Sequence, residues 1–378
     1  MKDDSRTLFQ ATSTPLASIF GSGFLVIVPI LAGAIGRYSV IGMAAVCALA
    51  YAVGMVIRYN IRYAEPAIEG GTAPHDVRAV DRVSDLAIVL AYVISITLYL
   101  RILASFLLGG FDADTELNER IITTIVIGFI ILVAVVKGLE VLEKLEDWAL
   151  WVTIGIIVAV LVGFGIYDLG QLGGTGIQWP PTPNKTTWQI LTILGGTLIV
   201  VQGFETPRFL SQEYDTETRV KASRLSQIIA TAVYLAFVAL ATPLMHFLGT
   251  SVEDNALIML AGKVAAALAT AVIGAAVLSQ FSAAVADTMA AEGNLVESSR
   301  REITARAAYL LIGGGAIALT WSAGTLTILA LASRAFAFYY LLQCLVAFGV
   351  SKNGGQRVGL IILGTVLAFI TVFAVPAG

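Results

Sequence analysis

Eleven long apolar stretches dominate this chain and constrain its fold more than any other feature. A helix that crosses a bilayer needs about 20 mostly apolar residues. Such segments lie at 15–36, 39–59, 84–109, 120–137, 147–167, 188–213, 224–248, 264–292, 303–321, 325–350 and 357–376. Charged residues make up 13% of the 378 residues, about half the share of a soluble domain. The sequence therefore predicts an all-α polytopic membrane protein with about eleven transmembrane helices.

The lysines and arginines of the connecting segments predict the orientation. Of the 23 basic residues, 17 fall in the loops of one side, 4 fall in the loops of the other side, and Arg101 and Arg334 lie within spans. Cytoplasmic loops carry the excess of positive charge. The expected location is the cytoplasmic (inner) membrane, with the polar residues 1–14 as an uncleaved cytoplasmic N-terminus and the C-terminus outside.

Two of the predicted spans are interrupted by residues that disfavour a regular membrane helix. The interrupting residues are Gly21, Ser22 and Gly23 in span one and Gln202, Gly203, Phe204, Glu205 and Pro207 in span six. Each interruption opens a block of five spans, 15–167 and 188–350, and because five is odd the second block is inverted relative to the first. The helix at 357–376 is additional. Matching breaks in two inverted halves indicate a transporter substrate site, whereas Gly21–Gly23 taken alone also fits close helix packing.

Three motifs give the chain a resemblance to a known family. They are "FGSGF" at 20–24, "EPAIEGG" at 65–71 and "GFETPRFLSQEYDTETR" at 203–219. In this order they resemble the first-helix, second-helix and sixth-helix motifs of the amino acid–polyamine–organocation (APC) superfamily. The resemblance implies secondary transporters with the five-plus-five inverted-repeat, LeuT-like fold. It also implies that the residues of both breaks bind the substrate.

Charged residues inside predicted spans are expected to be functional or paired, because an isolated charge in lipid is costly. Arg334 and Glu205 lie at similar depth near the middle of their spans. They either neutralise each other or each meet one end of a zwitterionic or charged solute. Asp287 is expected to pair with Arg219, with proton relay or gating as the alternative. Arg101, near the outer end of span three, is expected to extend to the interface.

Ser279 and Ser282 are the candidates for binding a coupling ion. Being three residues apart, they share one helix face in span eight, and their hydroxyls with carbonyls freed in span one can hold Na⁺, although serines in membrane helices also bond their own backbone. Proton coupling, and uniport or exchange, stay open. No motif for an enzyme, a nucleotide or a further metal appears, so no other cofactor and no nucleic-acid partner are expected.

These observations predict a secondary transporter that works by alternating access and moves an amino acid or related small organic solute. Helices 3, 8 and 10 are expected to line the site, and one four-helix bundle is expected to move against the rest. A nucleobase-type solute or an inorganic ion remains an alternative substrate. An ion channel and a non-transporting sensor are the alternatives from other classes, and the sequence leaves the oligomeric state open.

Overall fold

The structure is a computed structural model that describes residues 2–174, 176–211, 213–248, 252–299 and 301–376. Within these ranges the chain is helical and contains no β-strand. Side chains are not described at 2–6, 22 and 140–147. The predicted substrate-binding side chain of Ser22 therefore lies outside the described residues.

The described ranges contain fourteen α-helices. In chain order they are α1 (Lys2–Gly23), α2 (Ile27–Ile35), α3 (Ser39–Tyr59), α4 (Glu65–Glu69), α5 (His75–Gly109), α6 (Glu116–Lys137), α7 (Glu140–Leu172), α8 (Thr187–Gly195), α9 (Thr216–Ala241), α10 (Ala256–Val264), α11 (Ala266–Ser298), α12 (Ala305–Ser322), α13 (Thr325–Val350) and α14 (Gly354–Phe373). A π-helical turn, Asn60–Ala64, joins α3 to α4. Predicted spans 2 to 5 correspond to α3, α5, α6 and α7. Predicted spans 7 to 11 correspond to α9, α11, α12, α13 and α14.

Eight segments among the described residues are long and apolar enough to cross a membrane as continuous helices. Predicted spans one, six and nine fall outside this set, each because of its own local sequence. Spans one and six are broken, and α12 has only 18 residues, with Arg306 in its first turn and three consecutive glycines. The prediction of an all-α membrane protein is confirmed.

The first span is broken, but slightly later than predicted. Helix α1 continues through Gly23, and residues 24–26 form the turn before α2. A Cβ on Gly21 would lie 2.8 Å from the Cβ of Ala283 on α11. One on Gly23 would lie 2.5 Å from the Cα of Val200. The break predicted at Gly21–Gly23 is thus corrected to 24–26, and the two glycines allow neighbouring backbones to approach.

The sixth span is broken where the sequence predicted. Helix α8 is followed by a 3₁₀ turn, Leu198–Val201, a non-helical stretch at 202–205 and a second 3₁₀ turn, Thr206–Phe209. Gly203 adopts φ 127°, a conformation that favours glycine. Pro207 lies at the start of the second turn, where its missing N–H removes no helical hydrogen bond.

Helices at corresponding positions of the two blocks pack on each other. The third helices, α5 and α11, contact along much of their length, and the second helices, α3 and α9, also pack together. Alanine, serine and glycine recur throughout α11, and such small residues let membrane helices approach closely. Helix α14 packs on α13 and on α8. The inverted relation of blocks 15–167 and 188–350 stays a prediction.

Replacing Gly23 tests the close approach at the first break. We expect Gly23→Ala to lower the free energy of unfolding by about 1–3 kcal/mol, because its Cβ would overlap the Val200 backbone. Gly128→Ala on α6 is the matched control, since nothing lies within 4 Å of the added carbon. Thermal unfolding of the purified proteins in detergent measures both, and a Gly23→Ala protein as stable as Gly128→Ala would contradict the packing described here.

Candidate functional site

The two helix breaks lie against each other. A Cβ on Gly203 would lie 2.7 Å from the backbone N of Ile19 and 2.7 Å from the Oγ of Ser18, both on α1. The hydroxyl of Tyr234 on α9 is shared between the carbonyl of Val200, at 2.7 Å, and that of Ile19, at 3.0 Å. One buried tyrosine therefore connects the two broken helices.

Buried serines bond backbone groups freed by the sixth-helix break. Ser333 on α13 donates to the carbonyl of Gly196 at 2.7 Å and accepts from the amide of Ile199 at 3.1 Å. Ser223 on α9 donates to the carbonyl of Phe204 at 2.9 Å. Since unbonded backbone groups are costly at membrane depth, these serines stabilise the interrupted conformation.

Glu205 is fully buried at the centre of the sixth-helix break. Its carboxylate accepts hydrogen bonds from Nε2 of Gln202 at 2.6 Å, the amide of Gly203 at 3.0 Å and the hydroxyl of Tyr340 at 2.9 Å. The hydroxyl of Tyr99 on α5 donates to Oε1 of Gln202 at 3.2 Å. All these donors are uncharged, and among the described residues no basic side chain forms an ion pair with Glu205.

Aromatic side chains surround the carboxylate. Phe204 stacks on Tyr340 with ring centroids 5.4 Å apart. Tyr92 on α5 makes an edge contact with Phe336 at 6.1 Å. The hydroxyl of Tyr92 is buried and has no hydrogen-bond partner among the described residues. Buried aromatic rings therefore pack around the sixth-helix break.

Asp287 lies close to this network, on α11. Its carboxylate accepts from the hydroxyl of Ser95 on α5. Ser95 lies one helical turn before Tyr99, whose hydroxyl donates to Gln202 beside Glu205. The expected pairing of Asp287 with Arg219 is wrong: Arg219 instead meets Glu65 at 2.9 Å, because Asp287 faces α5.

Arg334 lies away from this network. It is half-buried, and its Nη2 donates to the carbonyl of Val372 at the end of α14. Six residues separate Arg334 from Tyr340, which is about 240° around a helix, so the two side chains leave α13 on different faces. The structure therefore does not bring Arg334 to Glu205, and depth in the span was a misleading guide to its partner.

Arg101 is buried and does not extend to the interface. Its side chain is 1% exposed; Nη2 lies 3.2 Å from Oε2 of Glu119, and Nε donates to the hydroxyl of Thr325 at 3.2 Å. The expectation of an interfacial arginine is wrong because α6 and α13 supply partners inside the protein.

The predicted serines line a small cavity of about 10 Å³ beside the first break. Ser279 and Ser282 on α11 meet Gly21 on α1 and Thr153 on α7 there. The hydroxyl of Thr153 is buried and has no hydrogen-bond partner among the described residues. Gln280 donates to the carbonyl of Gly21, one of the carbonyls at the end of α1. Residues that carry hydroxyl groups thus line the cavity where the sequence predicted a coupling ion, and the hydroxyl of Ser279 also donates to the carbonyl of Ala276 at 3.4 Å.

A buried ion network lies beyond the sixth-helix break, on the side predicted to be cytoplasmic. Arg208 approaches Asp81 at 2.6 Å and Glu65 at 3.5 Å, and Arg219 approaches the second oxygen of Glu65. Nη1 of Arg208 also contacts the hydroxyl of Tyr339 at 3.5 Å. The network connects α4, α5, α9 and the segment after the break.

The start of α9 positions the basic residue of this network. Asp215 caps the helix by accepting from the amide of Thr218 at 2.7 Å, and this hydrogen bond lowers the pKa of the Asp215 carboxyl. Arg219 follows one turn later and reaches the network. On the exposed rim, Glu217 pairs with Arg62 at 2.7 Å.

On the opposite side lies a cavity of about 540 Å³ between the ends of α5, α6 and α13 and residues 252–255. Five carboxylates line it: Asp114, Glu116, Glu119, Glu253 and Asp254. The buried guanidinium of Arg101 lies among them. The structure therefore has a buried ion network on one side of the breaks and an acidic cavity on the other.

Sequence reasoning located the breaks but missed most of the side chains that complete them. The missed residues are Tyr92, Ser95, Tyr99, Thr153, Tyr234, Gln280, Ser333 and Tyr340. Single uncharged polar residues recur throughout the apolar spans, so none of these stood out. Only their convergence on the breaks distinguishes them.

Removing the hydroxyl of Tyr340 tests the network around Glu205. We expect Tyr340→Phe to cost about 1–3 kcal/mol of unfolding free energy, because a buried carboxylate loses a donor. Tyr339→Phe is the adjacent control and should cost less, since its contact with Arg208 is long. Equal stability of the two variants in detergent unfolding would contradict the described network.

Comparisons with known proteins agree with the geometry. The sequence model of the family described as "APC superfamily transporter" matches residues 2–375. An uncharacterized protein of Aquifex aeolicus (strain VF5) is 38% identical over 378 residues, which covers 98% of this chain and 91% of that protein.

Two crystal structures of a manganese transporter from Eremococcus coleocola are similar in fold. One holds an aromatic bis-isothiourea substituted compound and the other is a point mutant, with TM-scores of 0.59 and 0.60. Each is 13% identical and covers 97% of this chain and 86% of the transporter. At 13% identity the likeness shows a shared fold and nothing further. The family match over nearly the whole chain shows that this protein belongs to the APC superfamily of transporters.

Proposed function

We propose that this protein is a secondary active transporter of a small organic solute with an ammonium group, an amino acid or a related amine. The observation that carries this proposal is Glu205, a fully buried carboxylate whose hydrogen-bond donors are all uncharged. A cationic group placed beside it supplies the missing counter-charge, and aromatic faces add a cation–π contribution.

The manganese carried by the structural neighbour is a less suitable substrate here. Among the described residues, no group of three His, Cys, Asp or Glu side chains is placed to hold a metal ion. The break offers one carboxylate with amides and tyrosine hydroxyls, a set that suits a hydrogen-bonding organic cation better than a transition metal. The stacked Phe204 and Tyr340 keep a flat nucleobase-type solute as the second candidate.

Alternating access is supported by the way the helices pack. Helices α1 and α3 pack on α9, whereas α5, α6, α11 and α12 pack on one another. These two groups correspond to a moving bundle and a scaffold, with the breaks between them. The buried ion network closes one side, so transport requires the Arg208 and Arg219 pairs to separate. Because the loops on that side carry most of the basic residues, we propose that it faces the cytoplasm and that the protein lies in the inner membrane.

Sodium is the coupling ion that the small cavity favours. Na⁺ is a hard cation that binds oxygen ligands, and Gly21, Thr153, Ser279 and Ser282 line a space about the size of one water molecule. The hydroxyl of Thr153 has no hydrogen-bond partner among the described residues. A proton is the second candidate, because Asp287 is a buried carboxylate that accepts from Ser95, one helical turn before Tyr99 of the substrate network.

Counterflow in proteoliposomes tests the transport proposal. We expect saturable exchange of at least one solute from a panel of radiolabelled amino acids and amines. Glu205→Gln should lower that exchange at least tenfold, because the variant keeps the shape and loses the charge. Glu302→Gln, an exposed carboxylate outside the site, is the control. Non-saturable current would indicate a channel, and a folded protein without flux would indicate a sensor.

The coupling proposal is tested by Thr153→Val, which removes the unpartnered hydroxyl and keeps the side-chain shape. We expect the Na⁺ concentration for half-maximal transport to rise at least tenfold. Thr270→Val on α11 is the control, because that hydroxyl bonds its own helix at Ala266. Transport that depends on pH and ignores Na⁺ in wild type and variant alike would reject sodium in favour of the proton.

A further inference from the structure

The acidic cavity on the outer side is large enough to be a site of its own. Its volume of about 540 Å³ falls within the range of small-molecule sites. It is separate from the sixth-helix break, since none of the residues bonded to Glu205 lines it. Five carboxylates and one guanidinium give the lining a strongly negative charge, which concentrates cations at its entrance.

Arg101 supplies a buried donor that is not used within the protein. Nη2 and Nε are engaged by Glu119 and Thr325, but Nη1 has no hydrogen-bond partner among the described residues. A buried donor without a partner is costly. A carboxylate is the acceptor that a guanidinium binds best, so the cavity contains one position for an anionic group.

The carboxylates around Arg101 are held apart from one another. Asp254 accepts from Ser105 at 2.7 Å, and Asp114 accepts from Nδ2 of Asn255 at 2.7 Å. Among the described residues no three of them come together as a metal site. Spaced carboxylates with oxygens left over fit an ammonium group, which donates in several directions.

We propose that this cavity binds a zwitterion, a solute that carries both a carboxylate and an ammonium group, before it enters the site at the helix breaks. The carboxylate binds Nη1 of Arg101, and the ammonium binds Asp254 and Asp114. The inference rests on the proposed function and narrows it, because the entry site selects amino acids over simple amines.

Three small probes of similar size test the contributions of the ammonium group and the carboxylate separately. Alanine carries both groups, ethylamine carries only the cation, and propionate carries only the anion. Binding of each to the purified full-length protein in detergent is measured by equilibrium dialysis. Two variants change the cavity: Asp254→Asn and Arg101→Lys, of which the second keeps the charge and loses the free guanidinium nitrogen. A third variant, Glu205→Gln, alters the central site. Asp168→Asn makes the same charge change on the same side, outside the cavity lining.

We expect alanine to bind at least tenfold more tightly than ethylamine or propionate. In Glu205→Gln, where the central site is altered, alanine binding to the cavity should persist. Adding Asp254→Asn or Arg101→Lys to that variant should weaken this binding at least tenfold, whereas adding Asp168→Asn should leave it unchanged. If Arg101→Lys does not fold, Asp254→Asn alone decides. Unchanged alanine binding in the folded cavity variants overturns the proposal. So does ethylamine binding as tight as that of alanine, or loss of all alanine binding in Glu205→Gln.

Transport separates this inference from the function on which it rests. Cavity binding without counterflow of any solute would reject the transporter and keep the site. Normal counterflow with no alanine binding in the cavity would reject the site and keep the transporter.

Discussion

The broken backbone at the two helix interruptions is the constraint on which the rest of the structure depends. At membrane depth there is no water to bond the freed amides and carbonyls. Their partners come from other helices: Tyr234 and Ser223 from α9, Gln280 from α11 and Ser333 from α13. A hydrogen bond fixes the relative position of the two groups that it joins. The breaks and the helices around them must therefore keep this set of hydrogen bonds or exchange it for another complete set.

Buried charged side chains, like the freed backbone groups, receive partners from other helices. Buried arginines lie near the two ends of the membrane-spanning region and are paired there, Arg101 with Glu119 and Arg208 with Asp81. Leaving one partner of such a pair unpaired is strongly destabilising. Glu205, between the two ends, instead receives three uncharged donors. In the function proposed above, the cationic group of the substrate supplies the counter-charge that the protein does not.

The sequence was informative where a signal is strong and local. Apolar length predicted the helices, and "VQGFETP" predicted the sixth-helix break. Partners were predicted poorly, because depth along a span does not say which face a side chain occupies. Arg334 turns toward α14 and Arg101 turns inward to Glu119. The glycines of "GSG" are needed for close contact with Ala283 and Val200, a requirement that only the assembled helices reveal.

If the solute is the zwitterion proposed above, its charges can assist its passage on both sides of the molecule. The acidic cavity would attract its ammonium group, and Arg101 would bind its carboxylate. On the side predicted to be cytoplasmic, its release would require the pairs of Arg208 with Glu65 and Asp81 to separate. An ammonium group that leaves past Asp81 and Glu65 meets carboxylates that have just lost their arginine. The solute's own charge can therefore compensate, in passing, for the ion pairs that must open to let it through.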